Sequence, residues 1–196
     1  MMKFCPDCAG PVQMRIPPGD NRVRAVCERC GTIHYQNPRI VVGCVPAWHR
    51  RVLLCRRAIN PRRGFWTFPA GFYEIGETLQ QAAARESLEE ALARVQIGSL
   101  LAITHLLHAA QVHMTFRARL LDEDFGVGAE SLEVGLYEEA QIPWDRLAFP
   151  SIDFALRCYF RDRSAGHEQL HFSTVEPAAG GATAAAAAMP APEPPI

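Results

Sequence analysis

The sequence predicts an α/β or α+β protein with a small cysteine-containing region at its N-terminal end. Two closely spaced cysteine pairs occur before residue 31, and segments rich in Val, Ile and Leu begin at residue 39. An amphipathic helical pattern near residue 79 interrupts these segments, so strands and helices alternate along the chain. This order indicates a sheet covered by helices. With 196 residues, the chain can form one medium domain and one small one.

The composition excludes several functional classes. The chain carries 20 basic and 21 acidic side chains, for a net charge of −1, and 48% of its residues are hydrophobic. This balance removes the electrostatic argument for a protein that binds nucleic acid or an anionic membrane. No apolar run approaches the roughly 18–20 residues that span a bilayer, and the first residues lack the pattern of a signal peptide. We therefore expect a soluble cytoplasmic protein with a small-molecule partner and neither a nucleic-acid nor a membrane partner.

Four of the seven cysteines form two close pairs. Two residues separate Cys5 from Cys8 and Cys27 from Cys30, and 18 residues lie between the pairs. This spacing is typical of a tetrahedral zinc site, in which each pair directs two thiolates at one ion. A region of under about 40 residues cannot build a sufficient core of its own, so a metal supplies the missing stability. We predict a structural zinc ribbon, and a redox or disulfide role is the alternative.

The first segments beyond the cysteine pairs predict a hairpin and a short strand. Runs of β-branched and apolar residues at 39–45 and 51–56 predict two strands, and the turn at 48–50 joins them. The aromatic segment 65–68 predicts a third strand, which Pro69 ends.

A helix is predicted to begin near Leu79, because Thr78 and Gln81 have the spacing of a capping box. At about 100° per residue, one face of this helix carries a predicted core stripe of Ala84, Leu88, Ala91, Leu92 and Val95. The opposite face carries three adjacent carboxylates, Glu86, Glu89 and Glu90. Adjacent carboxylates repel one another, so they form either a solvated face relieved by Arg85 or a site for a divalent cation, which prefers oxygen ligands.

Further strands are predicted at 100–105, 111–121 and 131–138, followed by a helix over 151–161 with an apolar stripe. The three cysteines outside the pairs lie in predicted strands or in this helix. We expect them to be buried core residues: Cys44, Cys55 and Cys158.

The carboxylates belong to a longer pattern. Gly71 is followed after five residues by Glu77, then after seven more by Arg85-Glu86, with Glu89-Glu90 two residues later. This is the fixed skeleton of the Nudix box, and the chain resembles the Nudix hydrolase family. The cysteine pairs and the segments IHYQNPRIVVG, FWTFPAGFYE, SLEV and IPWDRLAF are similar to the zinc-ribbon branch of that family.

The resemblance implies an α/β/α sandwich with a mixed sheet and a site for Mg²⁺ or Mn²⁺. The residues that it assigns to this metal are Gly71, Glu86, Glu89 and Glu90. Glu77 and Arg85 would support the box, and Glu86 is our first candidate for the general base, with Glu133 and Glu139 as later alternatives.

The resemblance also implies a reaction. Nudix enzymes hydrolyse a nucleoside diphosphate linked to another moiety. Relatives that cleave NADH carry a Ser-Gln-Pro-Trp-Pro-Phe-Pro run after the box, and this chain has none. The resemblance therefore points to the ADP-ribose or FAD pyrophosphatases, which release AMP. Separately, the family resemblance implies a homodimer. The alternative is a Nudix-fold regulator that binds nucleotide without cleaving it, although such a binder would not need the three glutamates.

Four residues are candidates for substrate contacts. Arg57 could meet phosphates, Phe65 and Trp66 could stack on a base, and Glu133 follows the box in the later part of the chain. Core packing is the alternative for the aromatic residues, and surface solvation is the alternative for the charged ones.

The chain departs from the family pattern mildly at Ser87, which stands at a hydrophobic position of the box, and more clearly at Leu92 and in the segment 106–111. Leu92 stands where the box has a glycine that usually ends the helix in a left-handed conformation, which is costly for leucine. We expect either that the helix continues past Leu92 or that strain is absorbed locally. The segment 106–111 lacks the Pro and Gly found in close relatives, so the substrate pocket is expected to differ there.

The end of the chain has low complexity. Residues 177–196 contain nine Ala, five Pro and two Gly, a composition that cannot bury enough apolar surface to fold. We predict three parts: a zinc ribbon over 1–38, a Nudix hydrolase domain over 39–168, and a disordered Ala/Pro-rich tail over 169–196. Residues 177–196 are expected to have no function, and a partner-binding segment is the alternative.

Overall fold

The computed structural model describes residues 2–176 and the backbone of residues 187–188. The chain divides into two compact units, Met1–Pro38 and Arg39–Ile196. The first unit contains an antiparallel sheet in the order β1-β2-β3. Its strands are β1 (Val12–Arg15), β2 (Arg24–Cys27) and β3 (Ile33–His34).

The second unit contains a mixed sheet and two α-helices. In chain order its elements are β4 (Arg39–Trp48), β5 (Arg51–Arg57), β6 (Trp66–Thr67), β7 (Ala70–Phe72), α1 (Leu79–Ala91), β8 (Val95–Leu106), β9 (Gln111–Leu120), β10 (Ser131–Tyr137), α2 (Pro150–Ala165), β11 (His171–Val175) and β12 (Ala187–Ala188). Single 3₁₀ turns lie at Leu107–Ala109, Glu139–Gln141 and Trp144–Arg146.

The sheet has the order β10-β5-β4-β9-β8-β11-β12, with β6 paired to β5 and β7 paired to β4. β4 pairs with β9 in parallel, as does β8 with β11, while β8 and β9 are antiparallel. The sheet is therefore mixed, as predicted.

The two helices cover opposite faces of the sheet. Val42 and Cys44 of β4 pack with Ala83 of α1, whereas Val45 packs with Leu156 of α2. Because successive side chains of a strand point to opposite faces, these contacts place α1 and α2 on the two sides. The predicted α/β/α sandwich is confirmed.

The predicted start of α1 is confirmed, but its predicted core stripe is wrong at Leu88 and Leu92, whereas Ala91 is buried. The Thr78 hydroxyl accepts a hydrogen bond from the Gln81 amide, and the Gln81 side chain accepts one from the Thr78 amide. Leu88 and Leu92, two members of the stripe, are 52% and 51% exposed. The buried residues of α1 are Ala82, Ala83, Glu86, Ser87, Glu90 and Ala91. Small side chains let the helix approach the sheet closely, and this close face includes two of the glutamates.

The end of α1 resolves the question raised by Leu92. Leu92 adopts the left-handed conformation, with φ 50° and ψ 22°, directly after the last helical residue, Ala91. The Leu92 amide donates to the Leu88 carbonyl at 2.9 Å, and the Ala93 amide donates to the Ser87 carbonyl at 3.1 Å. The helix therefore stops where a box glycine would stop it, and leucine carries the strain.

Several predicted boundaries differ from the structure, and two of these differences change how the sheet is assembled. β8 begins at Val95 rather than residue 100, and register shifts between Ile97 and Ala102 break the alternation that a strand prediction requires. β11 lies within the predicted tail, where it pairs with β8 and so belongs to the sheet. Apart from residues 187–188, the tail from residue 177 onward lies outside the described residues.

The predicted burial of the three lone cysteines is confirmed. Cys44, Cys55 and Cys158 are each at most 2% exposed. None of the helices in the described part of the chain is both long enough and apolar enough to cross a bilayer.

Candidate active site

A cavity of about 820 Å³ opens between α1, β7 and the start of β9. Gly71 and Arg85 line it together with the three box glutamates, Glu86, Glu89 and Glu90. This main cavity falls within the range of about 300–1,000 Å³ that is typical of small-molecule sites. The structure thus brings the predicted metal-binding residues to the wall of one cavity.

Arg85 is the centre of the charge network in this wall. Its Nε and Nη2 bind the two carboxylate oxygens of Glu77 at 3.0 and 2.8 Å. Its Nη1 donates to Glu86 at 2.7 Å and to Glu89 at 3.0 Å, and its Nη2 also donates to the Phe72 carbonyl at 3.1 Å. A two-point guanidinium–carboxylate contact holds both groups in a defined orientation. Arg85 therefore connects α1 to the loop that precedes it.

Two of the three glutamates are buried. Glu86 and Glu90 are 8% and 5% exposed, whereas the Glu89 side chain is 57% exposed. Burial raises the pKa of Glu86, although the Arg85 hydrogen bond opposes this change. Burial, together with the nearby Glu86 charge, raises the pKa of Glu90 to about 8 against a hydrogen bond from the Ala70 amide. Two buried carboxylates side by side are costly unless a cation compensates them.

Gly71 provides the space that this arrangement needs. A Cβ atom built on Gly71 would overlap both carboxylate oxygens of Glu86. Gly71 lies on β7, opposite Val42 of β4, so the sheet holds its backbone against the carboxylate of Glu86. Any side chain at this position would displace the Glu86 carboxylate.

The donor set of the cavity wall is suited to a hard divalent cation. Gly71, Glu86, Glu89 and Glu90 offer only oxygen donors, which Mg²⁺ and Mn²⁺ prefer. Within residues 2–176, the three glutamates do not bring their ligand oxygens within 4.8 Å of one another. Since Arg85 Nη1 contacts both Glu86 and Glu89, the guanidinium already neutralises part of this charge.

Of the four residues predicted to contact the substrate, one lines the main cavity and three do not. Arg57 lines the main cavity, and its guanidinium lies over the Phe149 ring at 5.3 Å. Trp66 is 7% exposed and packs against the core instead. Phe65 and Glu133 also lie outside the cavity lining: Arg62 stacks on Phe65, and Glu133 pairs with Arg56 at 3.1 Å.

A second group of cavity residues lies outside the predicted site residues, although the sequence predicts that the segment 106–111 affects the substrate pocket. Gln111 and His113 of β9 line the cavity. Gln111 is the last residue of the segment 106–111 that departs from the family pattern, and His113 lies two residues beyond it. The alternation of β9 could have placed the two residues on one face of the sheet, but no sequence motif marks them as cavity residues.

The four paired cysteines meet at one point of the first unit. Their sulfur atoms all lie within 4.8 Å of one another, with 3.8 Å from Cys5 to Cys30 and 3.4 Å from Cys8 to Cys27. Four sulfurs at about 2.3 Å from one zinc ion would be roughly 3.8 Å apart. The sulfur positions therefore fit a tetrahedral ion.

The two cysteine turns have the same backbone design. The Ala9 amide donates to the Cys5 carbonyl at 2.8 Å, and the Gly31 amide donates to the Cys27 carbonyl at 3.1 Å. Both closing residues have a positive φ, 58° for Ala9 and 76° for Gly31. Such a left-handed residue reverses the chain and directs both sulfurs of a pair to one side.

Two family models match the chain. The model described as Nudix N-terminal matches residues 3–36, and the NUDIX domain model matches residues 37–148, more than half of the chain. The chain belongs to the Nudix hydrolase family. The family suggested by the sequence resemblance is confirmed, and so is the zinc-ribbon branch of that family.

Solved structures agree with this assignment. A Nudix hydrolase from Nitrosomonas europaea is 54% identical with a TM-score of 0.86, and the match covers 89% of this chain and 99% of that one. An ADP-ribose pyrophosphatase from Streptococcus suis is 18% identical with a TM-score of 0.56 over 69% of this chain and 99% of that one. The second similarity shows the Nudix fold alone.

Among curated relatives, the NAD-capped RNA hydrolase NudC of Vibrio vulnificus is 38% identical over 91 residues. The match covers 45% of this chain and 32% of the relative. The chain therefore spans about a third of the length of this relative, and the similarity concerns a part of that protein.

Proposed function

We propose that this Nudix protein hydrolyses the pyrophosphate bond of a nucleoside diphosphate linked to another moiety, with ADP-ribose or FAD as substrate and AMP as one product. The observation that carries the proposal is the pair of buried carboxylates, Glu86 and Glu90, in the wall of the main cavity of about 820 Å³. Buried carboxylates with raised pKa values are uncommon outside functional sites.

The residues that would hold a Mg²⁺ or Mn²⁺ ion are Gly71, Glu86, Glu89 and Glu90. Their oxygen donors fit this ion, and the missing side chain of Gly71 leaves the Glu86 carboxylate in place. When bound, such an ion withdraws electrons from the pyrophosphate oxygens and lowers the pKa of a coordinated water.

The protein's own groups perform the remaining tasks. Water attacks one phosphorus atom, the bond from that phosphorus to the bridging oxygen breaks, and the bridging oxygen leaves with the other phosphate. Glu86 accepts the proton of the attacking water, because its carboxylate lies in the wall of the main cavity beside the proposed ion. Arg85 and Glu77 act as positioning residues, because their ion pair at 2.8 Å holds the loop and the helix together.

Arg57 would contact a phosphate of the substrate. It lines the same cavity as the box glutamates, and its Nε donates to the Pro61 carbonyl at 3.0 Å, which fixes the side chain. A guanidinium held in this way leaves its remaining donors for phosphate oxygens.

An RNA carrying a dinucleotide cap is the competing substrate, since the NudC relatives are named for it. The net charge of −1 provides no general attraction for a polyanion, so we favour free ADP-ribose or FAD. We also expect a homodimer, from the family resemblance, and sedimentation analysis of the purified protein tests this.

A substrate panel tests the proposal. Purified protein with Mg²⁺ is incubated with ADP-ribose, FAD, NADH and NAD-capped RNA, and the release of AMP or of 5′-monophosphate RNA is measured. We expect turnover of ADP-ribose or FAD, loss of turnover in Glu90→Gln, and full activity in Glu123→Gln, which removes an exposed carboxylate paired with Arg51. Nucleotide binding without turnover of any substrate would instead support the non-catalytic regulator.

A further inference from the structure

The wall of the main cavity formed by β9 contains an ordered chain of polar groups. Ser151 of α2 lies 3.0 Å from Nδ1 of His113, and Nε2 of His113 lies 3.0 Å from Oε1 of Gln111. Ser151 is 2% exposed, while Gln111 and His113 line the cavity. The chain thus runs from the buried helix to the cavity surface.

The direction of each hydrogen bond follows from the groups involved. An amide oxygen only accepts, so His113 Nε2 carries a proton and donates it to Gln111 Oε1. Burial lowers the pKa of His113 to about 4, so the ring is neutral at pH 7 and its Nδ1 is an acceptor. The Ser151 hydroxyl therefore donates to His113 Nδ1.

This chain determines which end of the Gln111 amide meets the cavity. The oxygen is held by His113, which leaves the amide NH₂ group. Within residues 2–176, no side chain or backbone group accepts a hydrogen bond from that nitrogen, and the nitrogen is not buried. Gln111 consequently presents two fixed donors to whatever occupies this part of the cavity.

The register of the sheet places Gln111 away from the carboxylates. Gly71 is opposite Val42 on β4, and Val42 is opposite Met114 on β9. Gln111 is two strands away from Gly71 and three residues along β9, or roughly 14 Å at about 4.8 Å per strand and about 3.4 Å per residue. This separation exceeds the length of a pyrophosphate group, so Gln111 can contact only an end of an elongated substrate.

We propose that Gln111 is a specificity-determining residue whose amide NH₂ donates to a carbonyl oxygen or ring nitrogen of the heterocycle at one end of the substrate, with His113 as its positioning residue. This rests on the proposed function, because it assumes that the pyrophosphate lies at the box glutamates. A neutral donor held by a neutral histidine fits the uncharged edge of a heterocycle, whereas phosphates are better bound by cations.

The substitution Gln111→Glu tests the donor directly. Glutamate has the same shape and retains an oxygen for His113, but it replaces the NH₂ donors with an acceptor. We expect the KM for the best substrate of the panel to rise at least about tenfold while kcat changes by less than about twofold, because the change weakens binding far from the reacting bond. The matched control is Gln96→Glu, whose side chain is exposed and accepts from Arg119 instead.

A double-mutant cycle tests the positioning role of His113. His113→Phe keeps an aromatic ring of similar size and removes the hydrogen bond to Gln111. We expect a smaller rise in KM than in Gln111→Glu, and no further rise when the two changes are combined, since both act through one amide. Additive effects would refute the positioning role.

Two measurements separate this inference from the proposed function. Turnover by the unmodified protein with an unchanged KM in Gln111→Glu would overturn the inference and leave the function standing. Affinity for the α,β-methylene analogue of ADP-ribose, which cannot be hydrolysed at that bridge, is measured in parallel with Mg²⁺. If nothing is turned over but Gln111→Glu weakens binding of this analogue about tenfold, the inference stands and the catalytic proposal fails. If the analogue does not bind and nothing is turned over, both fail.

Discussion

Gly71 of β7 lies directly against the carboxylate of Glu86 on α1, with no room between them for a Cβ atom. This contact joins the first residue of the Nudix box to a buried carboxylate 15 positions later. Gly71 does not have a positive φ, so its backbone conformation does not require glycine. Glycine is required because a side chain would overlap the Glu86 carboxylate.

Gly71→Ala is expected to displace the Glu86 carboxylate and to lower kcat by at least about a hundredfold, a loss typical of disturbed metal ligation. Turnover of ADP-ribose at saturating Mg²⁺ and thermal unfolding are measured together. Gly98→Ala on β8 is the control, since its Cβ would meet the Arg117 carbonyl at 3.3 Å and requires only a small adjustment. Normal activity in Gly71→Ala would contradict the role given to Glu86.

Arg85→Lys is expected to lower kcat by about 10–100-fold, because an ammonium group cannot make the two-point contact to Glu77 while also binding Glu86. The same change at Arg94, whose side chain is 61% exposed in its pair with Asp122, serves as the comparison and should leave activity intact. Equal effects at both sites would mean that the network around Arg85 has no special role.

Leu92→Gly is expected to stabilise the protein by about 1 kcal/mol, because glycine adopts the left-handed conformation without the strain that leucine carries. Leu88→Gly is a matched comparison: the side chain is equally exposed, at 52% against 51%, but it lies within the helix. There the change should cost about 1 kcal/mol. Urea denaturation measures both, and destabilisation by Leu92→Gly would show that its side chain contributes packing.

The stability of the protein should depend on His113 below neutral pH. Its pKa is about 4 in the folded protein, against 6.5 as the ordinary value. Above pH 6.5 the ring is therefore neutral in both the folded and the unfolded protein, and its full contribution to stability is present. As the pH falls from 6.5 to 4, the unfolded chain binds a proton that the folded protein does not, so the free energy of unfolding decreases. Urea unfolding at several pH values should show that, over this range, the free energy of unfolding of the unmodified protein decreases by as much as about 3 kcal/mol more than that of His113→Phe. Parallel pH profiles for the two proteins would contradict burial of the neutral ring.

Metal analysis should find about one zinc ion per chain, held by the four paired cysteines. Cys5→Ser or Cys30→Ser removes a thiolate and should release the zinc and unfold residues 1–38, because so small a unit depends on its metal. Cys44→Ser is the control, as this buried cysteine lies on β4 beside Ser87. Retention of zinc by both ribbon variants would refute the assignment.

Local patterns in the sequence determined several features of this protein. The capping box at Thr78 and Gln81 predicted the start of α1, because such hydrogen bonds form within one turn of chain. Cysteine spacing predicted the cluster of four sulfurs, and the box pattern predicted the metal-binding candidates Gly71, Glu86, Glu89 and Glu90, all of which line the main cavity. These signals involve neighbouring residues or fixed intervals, which the chain itself carries.

Only the tertiary structure decided which side of α1 is buried. The apolar stripe with Leu88 and Leu92 was the reasonable prediction, yet the helix packs through its small residues and through Glu86 and Glu90. The reason is distance: Ala82 and Ala83 let the helix lie close to β4, and leucines on that face would hold it away. The same packing buries the carboxylates. Likewise, Gln111 and His113 became cavity residues only because β9 pairs beside β4, a contact between segments about 70 residues apart in sequence that no local pattern encodes.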